Sequence, residues 1–241
     1  MADNRKLNNK IALITGAGRG IGRATSVLFA RHGADLALVS RTESELEETA
    51  RMCAEFDVEI MIRPTDLLSF EDMDSLFFDL PGQFPCVDIL VNNAGAFHRE
   101  YMEDIDIENF CEVMRVNVEA PLYLSQKMLK TIDPRRGGCI VNVSSYSGCF
   151  GVEKFPGFGA YNISKYALWG LTEILALECK SKNVLVNQVS PAGVDTDMFR
   201  KAVGPDAVAP LKTEDVAEKI LYYASDDSAP ATGENMMIPS L

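Results

Sequence analysis

Histidine is nearly missing from this chain: there are two in 241 residues, His32 and His98, too far apart in sequence to suggest a metal pair. They read as surface or helix-end histidines. Positive charge is scarce as well. Lys and Arg number 23 against 35 Asp and Glu, a formal net charge of −12. That excludes a nucleic-acid binder, because such binding is driven by cations that neutralise phosphate. It also argues against an anionic membrane surface. No stretch approaches the ~20 unbroken apolar residues of a membrane span. The first ten residues are polar and mixed in charge, without the apolar core of a signal peptide. A cytoplasmic location is the expectation. Cysteine pairs with redox or zinc spacing are missing too: Cys53, Cys86, Cys111, Cys139, Cys149 and Cys179 form no CxxC. A chain this long and core-rich needs no disulfide staples, so all six read as buried small apolar residues. A reactive Cys149 is the alternative.

What is present is alternation. Short runs rich in Val, Ile and Leu fall at 10–15, 36–40, 59–63, 87–91, 139–144 and 184–190. Strands buried on both faces look like this. Helical patterns lie between them, at 21–32, 43–56, 70–80, 107–131, 160–182 and 213–224. Thr42 and Ser69 are placed to cap helix starts, and Gly33 to end one. Strand, helix, strand repeated without linker or repeat predicts one domain over 1–241. Its fold is α/β, a single doubly wound parallel sheet with helices on both faces. Ligands in such sheets bind beyond the carboxyl ends of the strands, so motifs at strand ends carry the functional information.

The first strand ends in Thr15-Gly-Ala-Gly-Arg-Gly-Ile-Gly22. Gly16, Gly20 and Gly22 give the spacing GxxxGxG. Glycines let backbone turn tightly and approach phosphate, and the helix start offers unpaired amides and a positive dipole end. The second strand selects the cofactor. A carboxylate at its end would hold the ribose 2′-hydroxyl of NAD(H), but this chain has Ser40-Arg41 there. Arg41 can fork onto a 2′-phosphate, with Ser40 adding a hydroxyl and Arg19 helping from the glycine turn. The expectation is NADP(H) rather than NAD(H). The competing reading of Arg41 is a solvated arginine paired with Glu43 or Glu45.

Further on, Tyr161-Asn-Ile-Ser-Lys165 puts a phenol and an ammonium one helical turn apart on one face. A free tyrosine titrates near 10, and a neighbouring ammonium favours its phenolate. Val141-Asn-Val-Ser-Ser145 ends a strand with two hydroxyls able to meet a carbonyl oxygen where charge develops. Asn92-Asn93-Ala94-Gly95 follows another strand and suits a cofactor-contacting turn. Asn117 sits inside a long helical pattern, a poor intrinsic choice, and could hold a bent helix or a water.

Together these residues resemble the short-chain dehydrogenase/reductase family over nearly the whole chain. The resemblance implies a Rossmann-type α/β/α fold and a catalytic tetrad of Asn117, Ser145, Tyr161 and Lys165. It implies cofactor contacts from Gly16, Arg19, Gly20, Ile21, Gly22, Ser40 and Arg41, and from Asp66 and Leu67 on the adenine side. Asn93, Ala94, Gly95, Tyr161, Lys165, Pro191, Val194 and Thr196 would complete them. A nicotinamide would exchange hydride with a carbonyl carbon, Tyr161 would supply the proton, Ser145 would steady the oxygen, and Lys165 would lower the Tyr161 pKa. No metal is implied.

Three departures from the family pattern stand out. Sixteen positions separate Ser145 from Tyr161, and the added length falls in 151–159. Phe150, Phe155 and Phe158 make that loop apolar enough to suggest a substrate with an apolar portion. The usual Pro-Gly reads Pro191-Ala192-Gly193, which bears on the placement of Val194. The C-terminus lacks an Asp-Gly-Gly ending; a homotetramer is the expectation, with a homodimer as alternative. The final Pro-Ser-Leu241 resembles a peroxisomal tail too loosely to carry weight.

Three readings follow. The general one is interconversion of a small-molecule carbonyl and its alcohol. A narrower one is a 3-oxoacyl-[acyl-carrier-protein] reductase, taking an acyl-carrier thioester with Arg136 and Lys182 gripping the carrier. The net charge of −12 opposes it, since the carrier is itself acidic. The third is a non-catalytic NADP sensor, which the intact tetrad argues against.

Overall fold

The computed structural model describes residues 5–240; the first four residues of the polar N-terminal stretch, and Leu241, lie outside the described residues. Seven strands form one sheet: β1 Ile11–Thr15, β2 Asp35–Ser40, β3 Ile60–Pro64, β4 Ile89–Asn92, β5 Gly138–Val143, β6 Val184–Pro191 and β7 Asn235–Ile238. Their order is β3-β2-β1-β4-β5-β6-β7, parallel throughout. The helices are α1 Gly20–Arg31, α2 Glu43–Cys53, α3 Phe70–Asp79, α4 Ile107–Met114, α5 Ala120–Thr131, α6 Gly159–Glu178, α7 Asp197–Val203 and α8 Thr213–Ala224.

Successive residues of a strand point to opposite faces, and both faces are covered. Ala12, Ile14, Leu36 and Leu38 pack with Phe29 of α1, Leu46 of α2 and Ile220 of α8. Leu13, Ala37 and Leu90 pack with Met73 of α3, Leu124 of α5 and Leu175 of α6. The fold is therefore the doubly wound three-layer α/β/α arrangement. Strand order reverses between β1 and β4, which opens a crevice beyond their carboxyl ends.

Several expectations need correcting. The stretch 107–131 is not one regular helix: a π-turn over Arg115–Glu119 separates α4 from α5, and Asn117 lies in it. Strand β7 and helix α7 were not anticipated. The first has only four residues, without a β-branched run, and exists because it pairs with Gln188–Pro191. The second is a seven-residue helix whose cap is Thr196, accepting from the Phe199 amide. Ser69 caps α3 by accepting from the Asp72 amide, but Thr42 makes no side-chain cap bond. Cys53, Cys139, Cys149 and Cys179 are buried, whereas Cys86 is half-buried and Cys111 exposed.

At the opposite end of the sheet from that crevice, fully buried Asp88 accepts from the Ile11 amide at 2.9 Å and from Arg136 Nε and Nη2 at 2.9 and 2.8 Å. Asp88→Ala strands one buried amide and one guanidinium. Unfolding in urea should show a loss of about 2–3 kcal/mol with an unchanged m-value. A loss below about half a kcal/mol would mean the pair contributes nothing net.

Candidate active site

The chain leaves β1 into a turn where Gly16 and Gly20 hold φ of +65° and +54°, the left-handed region that only glycine enters without penalty. A Cβ at Gly22 would lie 2.1 Å from the Gly16 carbonyl oxygen and 2.6 Å from Asn93 Nδ2, so helix α1 and the turn after β4 close directly onto this glycine. Asn93 Nδ2 donates to the Thr15 carbonyl at 2.9 Å, and Thr15 Oγ1 accepts from the Asn93 and Ala94 amides at 3.0 and 3.1 Å. Two strand-end turns are thus pinned across the crevice. Arg19, at the start of α1, gives no side-chain cap, which leaves the first-turn amides for another acceptor. Its guanidinium lies 3.4 Å from Asp197 and 3.9 Å from Glu45. Ile21 is half-buried against the core.

At the end of β2, Ser40 Oγ lies 3.1 Å from where a Gly18 Cβ would stand. Arg41 is exposed, and among the described residues it forms no ion pair with Glu43 or Glu45; Glu45 faces Arg19 instead. Asp66 turns its carboxylate onto the Leu68 amide at 3.0 Å, beside buried Leu67. The open glycine cradle and the uncapped helix start form a donor set that suits the pyrophosphate of a nicotinamide dinucleotide, and the β2 end carries a cation rather than an acid.

The four tetrad positions meet at the mouth of the crevice. Asn117, buried in the π-turn, accepts from the Ala96 amide at 2.8 Å and donates to the Ala96 carbonyl at 3.0 Å and to Ser164 Oγ at 2.9 Å. Ser164 in turn donates to the Tyr161 carbonyl at 2.8 Å. The extra residue of a π-turn swings this amide inward toward α6. Lys165 is 3% exposed; its Nζ donates to the Val143 carbonyl at 2.9 Å and sits 5.5 Å from the Tyr161 ring centroid. Ser145 begins a short turn, accepting from the Ser147 amide at 3.2 Å. A Cβ at Gly95 would lie 3.4 Å from Asn117 Oδ1, 3.7 Å from Met198 Cε and 4.0 Å from Lys165 Nζ, so these groups surround one point.

The pKa expectation for Tyr161 is not met. Desolvation pushes its phenol up to about 12, and only the neighbouring Ser145 hydroxyl pulls it down. Desolvation also lowers Lys165 to about 8. The lysine spends a hydrogen bond on the Val143 carbonyl and stands 5.5 Å from the Tyr161 ring centroid, while burial around the phenol dominates.

The lengthened loop divides its phenylalanines. Phe150, 88% exposed, packs on Tyr166 with centroids 5.2 Å apart. Phe155 and Phe158 join buried Phe97, which contacts Tyr161 edge-on at 5.4 Å. Lys154 gathers the loop by donating to the Tyr146 and Cys149 carbonyls at 2.9 and 2.7 Å. Beyond Pro191, at the end of β6, the Ala192-Gly193 order has a packing reason: a Cβ at Gly193 would stand 2.5 Å from the Phe199 ring. Val194 is buried, and the Thr196 methyl lies 3.3 Å from where a Gly20 Cβ would stand. His98 pairs with Glu112 at 3.2 Å. Arg136 is held on Asp88 at the far end of the sheet, and Lys182 Nζ on the Leu129 carbonyl at 2.9 Å.

Ser164, Phe97, Met198 and Lys154 were not singled out from sequence. Only Ser164 had a signal, lying one helical turn after Tyr161.

The family model for short chain dehydrogenases matches residues 10–206. An uncharacterized oxidoreductase of Staphylococcus aureus (strain N315) is 32% identical over 216 residues, 90% of this chain and 91% of that one. Carveol dehydrogenase from Mycobacterium avium, solved in complex with NAD, superposes with a TM-score of 0.87 at 25% identity, covering 97% of each chain. A Shigella flexneri 2A chain solved with NADP gives a TM-score of 0.87 at 30% identity, covering 97% of this chain and 98% of that one.

Proposed function

The chain belongs to the short chain dehydrogenase family of oxidoreductases, and from that premise we propose that it interconverts a secondary alcohol and its ketone with NADP(H), using Tyr161 as general acid and base. The observation that carries this reading is the convergence of the four positions: Asn117 and Lys165 meet beside Gly95, Lys165 lies over the Tyr161 ring, and Ser145 hydrogen-bonds the Tyr161 phenol. A nicotinamide cofactor bound beyond the strand ends would supply or take the hydride. Gly16, Gly20, Ile21 and Gly22 form the pyrophosphate cradle, with Arg19, Ser40 and Arg41 toward the 2′-phosphate and Asp66 and Leu67 toward the adenine. Asn93, Ala94, Gly95, Pro191, Val194 and Thr196 line the nicotinamide side.

In the reducing direction Tyr161 gives its proton to the forming alkoxide. Ser145 donates to the same oxygen as its charge grows. Lys165, whose charge does not offset the desolvation of the protonated phenol, is the nearby cation that would balance the phenolate once Tyr161 gives up its proton. Asn117, through Ser164, fixes the helix carbonyl at Tyr161 and so the direction of the phenol. We place this activity in one cytoplasmic catalytic domain spanning the chain, assembled as a homotetramer or homodimer. The exposed Ile174 and Leu177 on α6 support self-association. For the acyl-carrier reading, Arg136 is already engaged with Asp88 and Lys182 with the Leu129 carbonyl, both at the other end of the sheet, so the general reading is preferred.

The test is NADPH oxidation followed optically over a panel of free ketones and an acetoacetyl thioester, repeated with NADH. Cofactor preference turns on Arg41. Arg41→Ala should weaken NADPH binding by about ten- to a hundredfold, the range for a hydrogen bond to a charged group, and largely erase discrimination against NADH. Equal affinity of the wild type for both cofactors would sink the NADP assignment.

A further inference from the structure

The wall of the crevice beside Tyr161 is aromatic and continuous to solvent. Phe97 contacts Tyr161 at 5.4 Å and Phe158 at 4.8 Å, both edge-on, and Phe158 contacts Phe155 at 5.8 Å. Phe97 is 6% exposed and acts as the buried keystone, while Phe155 is 59% exposed at the outer end. The wall is built, not incidental. Glu100 donates its amide to the Gly157 carbonyl at 2.9 Å and forms a parallel bridge with Phe158. Arg99 lies over Gly157 and donates to the Ala202 carbonyl at 3.2 Å, tying the loop to α7. That helix also places Met198 Cε 3.7 Å from where a Gly95 Cβ would stand, a point that Lys165 Nζ approaches at 4.0 Å.

Charge along this wall is directed elsewhere. Arg99 bonds a backbone carbonyl and Lys154 bonds two; Glu100 accepts from Asn109 Nδ2 at 2.8 Å and keeps its Oε2 buried, while Glu153 stands exposed in the loop. An anionic substrate would meet the exposed Glu153 carboxylate, while the Arg99 and Lys154 cations are engaged with backbone carbonyls. Aromatic faces and edges, by contrast, favour a flat ring offset-stacked or edge-on.

Resting on the reaction proposed above, we infer that the substrate is an uncharged ketone, or its secondary alcohol, bearing a flat apolar ring that lies against Phe155 and Phe158 with the carbonyl at Tyr161. The keystone contact makes the ring's position and the proton donor's position one geometric unit.

The experiment compares 4-phenylbutan-2-one with butan-2-one at saturating NADPH, and 3-benzoylpropionate with its methyl ester. The wild type should prefer the phenyl ketone in kcat/KM by at least about tenfold, and the ester over the acid by a similar factor. Phe155→Ala and Phe158→Ala should lower the first ratio toward one, while Phe155→Trp retains it. Phe155 is exposed, so its variants should keep the wild-type melting temperature. A ratio near one in the wild type, with turnover that still needs Tyr161, overturns the ring assignment and leaves the reaction standing. Calorimetry on NADP-loaded Tyr161→Phe protein separates the other failure: phenyl ketone binding that Phe155→Ala weakens about tenfold, with no turnover in the wild type, supports the ring site and sinks the proposed reaction. Absence of both binding and turnover overturns both.

Discussion

Tyr161→Phe should lower kcat for ketone reduction by about a thousandfold while NADPH affinity changes little, because a positioned general acid contributes roughly 10²–10⁴ in rate. The substitution removes one hydroxyl and keeps the ring, so the edge contact with Phe97 at 5.4 Å survives and the fold is undisturbed. The wild-type pH profile carries the same information. With its phenol raised to about 12, Tyr161 stays protonated through neutral and mildly alkaline pH, the form that reduction needs. Lys165, lowered to about 8, is mostly an ammonium at pH 7 and loses that charge as pH rises further. The forming phenolate then loses its counter-charge. The reduction rate should therefore be flat from about pH 6 to 7.5 and fall across pH 8, while alcohol oxidation, which needs proton removal, gains with pH. Residual activity in Tyr161→Phe above about a tenth of wild type would assign the proton to another group.

Much of this site is written in local spacing. The glycine turn, Asn92–Gly95 and the Tyr161–Lys165 pair each need only neighbours in sequence to make physical sense, and the structure brings them to one crevice. The alternating apolar runs likewise mark six of the seven strands, since a strand covered on both faces must be apolar throughout. What stayed hidden depends on distant partners. Strand β7 is too short to declare itself and is held by β6. Phe97 reads as an ordinary apolar residue until the loop at Phe158 folds against it. Thr42 has the right residue type and position for a cap, yet its hydroxyl makes no cap bond. The Tyr161 pKa failed for a related reason: spacing on a helix says that Lys165 is near, but not that its Nζ is held on the Val143 carbonyl of another element.

Lys165→Met is the second large effect, and its two halves have opposite sign. Activity should fall by about a hundredfold or more, since the charge that stabilises the Tyr161 phenolate is gone. Stability at pH 7 should rise. Lys165 is 3% exposed, and burial lowers its pKa to about 8 from an unfolded value near 10.4. Below pH 8 the fold carries the full penalty of a desolvated ammonium, on the order of 3 kcal/mol for a shift of this size. Losing the hydrogen bond to the Val143 carbonyl takes back about 1–2 kcal/mol. The net gain is then about 1–2 kcal/mol, or roughly 3–6 °C in melting temperature for a chain of this length. The pH dependence identifies the cause. Between about pH 8 and 10.4 the unfolded chain binds a proton that the folded chain does not, so wild-type stability from this group rises with pH across that window. The methionine variant has no such group, and its advantage should shrink steadily from pH 8 to pH 10. Thermal unfolding of both proteins at pH 7, 8, 9 and 10 would show it. A variant less stable at pH 7, with a gap that does not move with pH, would mean that the buried ammonium carries no net penalty. A stabilised but inactive protein would mark Lys165 as a residue whose burial the fold tolerates for the sake of the chemistry at Tyr161.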